Sequence, residues 1–186
     1  LANPGVPVQW VDNNPQMLEQ ALATVADTYA HNVRQGRIDQ AEADARIARV
    51  TSAADYAAIR DVDLVIEAVY ENLELKQKIF RELDGLLKPE AILASNTSAL
   101  DIDAIAAATR RPQQVLGLHF FSPAHIMKLL EVVRGAQTAA AVLEAALDLG
   151  KRMGKVSVVS GNCHGFIGNR MLHPYVLEAR KMLLEG

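Results

Sequence analysis

An α/β fold with a mainly parallel sheet is the architecture this sequence predicts, and three observations carry it. Apolar, β-branched runs recur along the chain, most clearly Val62-Asp63-Leu64-Val65-Ile66-Glu67-Ala68-Val69, the pattern of a strand covered on both faces. Stretches of helical period alternate with these runs. The 186 residues are 50% hydrophobic and 22% charged, an ordinary globular composition long enough to bury a core.

In chain order, residues 8–12 read as a short strand that ends in an acid, Asp12. Asn14 is a good helix N-cap and Pro15 suits the first helical position. Met17, Leu18, Leu22, Val25, Ala26 and Tyr29 then recur at helical spacing as far as Gly36. Residues 38–50, rich in Ala, Arg and Glu, read as a second helix, so that 16–50 form a polar helical pair. The strand over 62–69 leads into an amphipathic helix over 73–87, closed by Lys88-Pro89. A strand over 91–95 precedes a short helix over 101–108, for which Ser98 is a candidate cap. Strands over 114–121 and 129–133 lie too close in sequence for a parallel crossover, which predicts antiparallel pairing. Thr138 is placed to cap a helix running to 149. A strand over 155–160 and a helix from 166 onward, with Pro174 early in it, complete the series.

Composition narrows the function. A net charge of −3 argues against a nucleic-acid partner, which needs a basic face. No apolar run is long enough for a membrane span, and no secretory leader pattern is visible. The single cysteine, Cys163, points to a reducing compartment, with the cytoplasm as the expected location. Cys163 and His164 have no further ligands at zinc spacing, so no metal site is expected.

Several residues carry chemistry. Asp12 is either a turn acid or, if the sheet binds a dinucleotide, the carboxylate that accepts hydrogen bonds from the adenosine ribose and favours NAD over NADP. The glycine-rich turn G-x-G-x-x-G belongs about 20 residues before such an acid, yet Gly5 is the only glycine ahead of Asp12. The later run Gly161-Asn162-Cys163-His164-Gly165-Phe166-Ile167-Gly168 has the wrong spacing and reads as a turn into a helix. Ser95-Asn96-Thr97-Ser98 follows a buried strand, where ligands bind in open α/β sheets, although Ser98 also fits a helix cap. Glu71 and Lys76 follow the 62–69 strand, at the same edge or on a solvated helix start. His119 ends a strand, and Glu131 sits on the strand expected to fold back beside it. A carboxylate on one imidazole nitrogen fixes the tautomer and leaves the other nitrogen to act as a base. Asn169 opens the last helix and either caps a turn or points its amide at a substrate.

Taken together, these segments resemble the 3-hydroxyacyl-CoA dehydrogenases of fatty-acid β-oxidation. The matching stretches are Asp63-Leu64-Val65-Ile66-Glu67-Ala68, Glu71-Asn72-Leu73, Ser95-Asn96-Thr97-Ser98, Gly117-Leu118-His119-Phe120-Phe121, Met127-Lys128-Leu129-Leu130-Glu131-Val132 and Gly165-Phe166-Ile167-Gly168-Asn169-Arg170. They fall in order over residues 8–186. His119-Phe120-Phe121-Ser122-Pro123-Ala124-His125 and Gly168-Asn169-Arg170-Met171-Leu172-His173-Pro174-Tyr175 look most like the dehydrogenase part of the multifunctional enzymes.

The resemblance implies NAD-dependent oxidation of an (S)-3-hydroxyacyl-CoA. His119 would take the hydroxyl proton, Glu131 would orient His119, and Ser98 and Asn169 would hydrogen-bond the substrate. Asp12, Glu71 and Lys76 would hold NAD, with Tyr70, Asn72, Ser98 and Ser122 as further cofactor contacts. It also implies a Rossmann-like sheet lacking its first strand and glycine-rich loop, with an antiparallel extension. Residues 1–163 would form that partial domain, 16–50 an arm toward the CoA portion, and 164–186 the first helix of a C-terminal helical domain. Such a chain is expected to be a piece trimmed at both ends, a partner in a homo-oligomer or in a larger multifunctional chain, and weak in NAD binding on its own. Two other readings stay open: a self-associating structural unit with an exposed sheet edge, and a Rossmann dehydrogenase acting on a sugar or 2-hydroxy acid.

Overall fold

Asn14 starts the first helix as its sequence position suggests: its side-chain oxygen accepts from the backbone N–H of Gln16 and Met17, with Pro15 just inside. The computed structural model describes all 186 residues, and their contacts divide the chain into two units, Leu1–Asp61 and Val62–Gly186. In the first unit, β1 (Val8–Val11) is followed by α1 (Pro15–Arg34) and α2 (Gln40–Ile47), and then by β2 (Val50–Ala53). β1 and β2 pair in parallel, with Val8 opposite Val50 and Val11 opposite Ala53. β2 corrects the expectation of a helix reaching residue 50. Asp39 caps α2 through Glu42 N, the helix stops at Ile47, and the chain turns into a short strand. Thr51 and Ser52 on β2 are exposed, so it lacks the apolar alternation by which strands are recognised. Tyr29 Oη donates to Asn3 Oδ1 at 2.6 Å, tying the amino-terminal turn to α1.

The second unit holds a five-stranded sheet in the order β3-β4-β5-β6-β7. β3 (Leu64–Glu67), β4 (Ile92–Ser95) and β5 (Val115–Phe120) run parallel, β6 (Leu129–Arg134) is antiparallel to β5, and β7 (Val156–Gly161) is parallel to β6. The helices of this unit are α3 (Leu73–Leu86), α4 (Ile102–Ala106), α5 (Ala140–Arg152) and α6 (Gly168–Glu185). Side chains alternate across each strand. Ala94, Leu116, Leu118, Leu130 and Val132 pack with Val142 and Ala146 of α5 on one face. On the other, Gly117 comes so close to Ile102 of α4 and to Val133 that a Cβ there would lie 3.0 and 2.8 Å from them. Removing such aliphatic area from water supplies the main driving force, about 1.5–3 kcal/mol for each large side chain fully covered.

Neither candidate hydroxyl acts as a helix cap. Asp101, not Ser98, caps α4 by accepting from Asp103 N and Ala104 N. Thr138 does not cap α5: its hydroxyl donates to Val115 O at 2.7 Å and accepts from Gly135 N at 2.9 Å, which leaves Ala139 at the cap position. A hydroxyl brought beside a neighbouring strand finds a partner there that sequence spacing does not reveal. At the amino edge of the sheet, Arg111 Nη2 reaches the carbonyls of Leu83, Asp84 and Leu87 at 3.4, 3.2 and 3.4 Å, and Nη1 donates to Lys88 O. Its guanidinium thereby covers the last turn of α3, where the helix leaves its carbonyls unpaired. No helix of the chain is long and apolar enough to cross a membrane.

Candidate active site

The register of β5 and β6 sets His119 directly opposite Glu131. Both point to the α4 face, as the alternation from Gly117 and Val133 requires. His119 Nδ1 lies 2.7 Å from Glu131 Oε2. Glu131 is 1% exposed, and a carboxylate so covered needs partners for its remaining lone pairs. They come from the turn into α6: Glu131 Oε1 accepts from Ile167 N at 3.0 Å and Gly168 N at 2.7 Å. That turn is shaped by Gly165 at φ 70° and Phe166 at φ 47°, left-handed conformations that glycine adopts freely and phenylalanine does not. The rings of Phe121 and Phe166 flank the imidazole, with centroids at 4.6 and 5.7 Å. Nδ1 is thereby committed to Glu131, while Nε2 has no hydrogen-bond partner within the chain.

A second group of side chains gathers at the carboxyl ends of β3 and β4. Glu71 Oε1 accepts from Thr97 Oγ1 at 2.6 Å, from Ser98 N at 2.9 Å and from Ser98 Oγ at 3.2 Å. Burial disfavours the ionised form of Glu71, but the bonds from Thr97 and Ser98, with the charge of Lys76, outweigh that and hold its carboxyl below the usual glutamate range. Asn169 Nδ2 approaches Ser98 O at 3.4 Å. Asn169 stands next to Gly168, which donates to Glu131. Hydrogen bonds, with the peptide step between Asn169 and Gly168, therefore link Glu71 through Ser98 to the start of α6 and on to Glu131 and His119.

The structure brings together His119, Glu131, Ser98, Asn169 and Glu71 in this way. Other expected residues stand differently. Lys76 is 1% exposed and bonds Glu67 Oε1 at 2.7 Å, so the solvated helix start that its sequence position allowed is excluded. Asn72 uses its side-chain oxygen to cap α3 through Leu75 N at 2.8 Å. Tyr70 is 88% exposed, and Ser122 is exposed on the segment after β5. Asp12 follows β1 in the other unit and accepts from Asn14 N at 2.8 Å.

Three contributors escape a sequence reading. Thr97 anchors Glu71. Lys155 donates to Ala124 O and, at 2.6 Å, to Met127 O, bracing the segment that carries Ser122. Glu67 is the third, and its signal was present: an acid inside an apolar strand demands a buried partner.

A mainly parallel α/β sheet whose carboxyl edge bears a histidine–glutamate pair beside a loop rich in hydroxyl and carboxylate groups has the form of a Rossmann-like domain. Residues 1–163 match the family description "3-hydroxyacyl-CoA dehydrogenase, NAD binding domain". The chain belongs to the 3-hydroxyacyl-CoA dehydrogenase family, a family of oxidoreductases, and NAD is the cofactor that this domain indicates. Among its relatives, the peroxisomal bifunctional enzyme of Danio rerio is 47% identical over 100% of this chain and 25% of its own length. The peroxisomal fatty acid beta-oxidation multifunctional protein of Arabidopsis thaliana is 43% identical over 96% of this chain and 25% of its own. The crystal structure of 3-hydroxybutyryl-CoA dehydrogenase from Escherichia coli K12 superposes with a TM-score of 0.96 at 38% identity, over 99% of this chain and 39% of that one. The chain thus spans about 25% of the length of the curated relatives it matches.

Proposed function

We propose that this chain supplies the base and the nicotinamide side of an NAD-dependent (S)-3-hydroxyacyl-CoA dehydrogenase, which forms 3-ketoacyl-CoA in fatty-acid β-oxidation. The observation that carries the reading is the His119–Glu131 pair at 2.7 Å, with Nε2 left to act. The donor set suits the cofactor: Glu71 keeps its side chain 40% exposed although Thr97 and Ser98 fix one oxygen, so a carboxylate of set orientation faces the edge where ribose hydroxyls would dock. Glu71, Ser98, Ser122 and Tyr70 would line that position, and Lys76 would act through Glu71. Bound NAD would accept the hydride from C3 of the substrate.

The chain's own residues do the rest. His119 Nε2 takes the hydroxyl proton as C3 is oxidised, and the imidazole becomes a cation. Glu131 balances that cation without itself taking the proton. Because both its oxygens are already bonded in the resting structure, little reorganisation accompanies the charge, which is how a preorganised site lowers a barrier. Ser98 and Asn169 orient the substrate. Phe121 and Phe166 keep water from the buried side of the imidazole.

We place residues 1–163 in the cofactor domain, with 16–50 as an arm toward CoA, and 164–186 at the start of a helical domain. The relatives are multifunctional by name, and a larger chain of that kind, or a homo-oligomer, is the setting we infer. The curated relatives are named peroxisomal or glyoxysomal. An organelle of that type therefore replaces the cytoplasm as the inferred location where the host has one.

The test is NADH formation from (S)-3-hydroxybutyryl-CoA against its (R) epimer and a 2-hydroxy acid, using the protein with all its natural flanking sequence. Turnover of the (S)-CoA substrate alone is expected. Oxidation of the 2-hydroxy acid in preference would overturn the assignment.

A further inference from the structure

Glu67 ends β3 and Lys76 lies on the first turns of α3, and the two side chains are 2% and 1% exposed. Glu67 Oε1 accepts from Lys76 Nζ at 2.7 Å and from Val69 N at 2.6 Å, while Oε2 accepts from Ser95 Oγ at 2.7 Å. The ammonium also donates to Val69 O at 3.2 Å and stands 3.5 Å from Glu71 Oε2. It is thus held between a covered carboxylate and an exposed one. Stability alone does not account for such a pair, because two buried charges cost so much solvation that well-packed apolar side chains often serve a fold as well or better. An apolar pair could not hold a positive charge beneath Glu71. Ser95 ties the same carboxylate to the end of β4, directly before the Thr97 and Ser98 groups that grip Glu71 from the other side.

We propose that Glu67 is a positioning residue: it fixes the Lys76 ammonium under Glu71 and thereby sets the Glu71–Ser98 contact for the cofactor. The inference rests on the NAD-dependent reading above. Glu67 touches neither cofactor nor substrate. Its work is done through Lys76, and its loss is felt two side chains away.

Glu67→Gln and Lys76→Met each strand one buried charge, and each is expected to lower the melting temperature. The double variant E67Q/K76M removes both charges and keeps an amide oxygen for Val69 N–H. It is expected to recover most of that loss. In this folded double variant without ligand, exchange of the Ser98 amide hydrogen should be faster than wild type by about tenfold or more. NADH affinity from fluorescence titration should be weaker by about tenfold or more. Wild-type exchange together with wild-type NADH affinity in a stable double variant would overturn the proposal and reduce the pair to a packing feature. Should the double variant fail to fold, Glu67→Asp keeps the charge balance while drawing the ammonium away from Glu71, and the same two measurements decide. These measurements use the protein with all its natural flanking sequence; if that protein, unaltered, binds no NADH, the NAD reading falls by that result alone, and Ser98 exchange still decides whether Glu67 sets Glu71.

Discussion

At the amino edge of the five-stranded sheet, Asp84 is bonded by Arg110 N and Nε at 3.1 and 2.9 Å and lies 2.9 Å from Arg111 Nε, while Arg111 spends its remaining donors on the carbonyls that end α3. At the carboxyl edge, His119 and Glu131 are as well covered, and Glu131 is as fully bonded, but the outer imidazole nitrogen has no partner in the chain. Both clusters bury ionisable groups in one sheet. One is taken up by ion pairs to Asp84 and by a helix end; the other leaves the second imidazole nitrogen of His119 without a partner in the chain. Buried charge by itself therefore marks no active site, since structural ion pairs bury charge as well.

The sharpest way to break that contrast is at the carboxyl edge. His119→Gln removes the unspent valence and should lower kcat by about 10²–10⁴-fold, with NADH affinity nearly unchanged. Stopped-flow or steady-state NADH formation measures it, and ordinary turnover would remove His119 from the base position. Next in size is Arg111→Ala at the amino edge. It exposes the α3 carbonyls and takes one partner from Asp84, so a loss of about 3 kcal/mol in denaturant unfolding is expected, the lower end for breaking a buried pair, because Arg110 remains. The folded enzyme should keep its pH–rate profile; a changed profile would mean that the two edges are coupled.

The smallest effect is acid stability. Burial raises the Asp84 carboxyl, but the bonds from Arg110 and the charge of Arg111 outweigh it and leave it below the usual aspartate range. A carboxyl lowered in the folded state gives stability that is whole above its unfolded pKa, about 3.9, and is lost as pH falls through the lower folded value. Asp84→Asn should therefore flatten the decline of stability in acid, measured by unfolding at a series of pH values. An unchanged acid limb would mean that the arginines do not stabilise the ionised form.

Much of this was readable in the residues. β3 to β7 carry dense apolar runs, and the eight residues between β5 and β6 left antiparallel pairing as the simple solution, which in turn set Glu131 opposite His119. β2 was not readable because Thr51 and Ser52 break the apolar pattern that marks a strand. Thr138 does not cap α5, and of the two readings open for Ser98 the cap falls away, for a common reason: a hydroxyl takes its nearest acceptor in space, and Val115 O and Glu71 come from elsewhere in the chain. Lys76 was read as an edge residue because helix position does not reveal what the preceding strand places beneath it. The answer lay nine residues earlier in Glu67, the acid within the strand Leu64–Glu67 itself, whose charge had to be met inside the protein.

The direct pairing of His119 with Glu131 across β5 and β6 also governs which changes in chain length the dyad survives. Side chains alternate faces with a period of two, so one residue inserted within either strand, between the dyad member and its hydrogen-bonded neighbours, sends that member to the α5 side. The segment joining the strands has no such parity rule. It can change length by odd or even numbers while both strands keep their register and His119 stays opposite Glu131. Parity therefore restricts insertions within the two strands and sets no such limit on the segment that joins them.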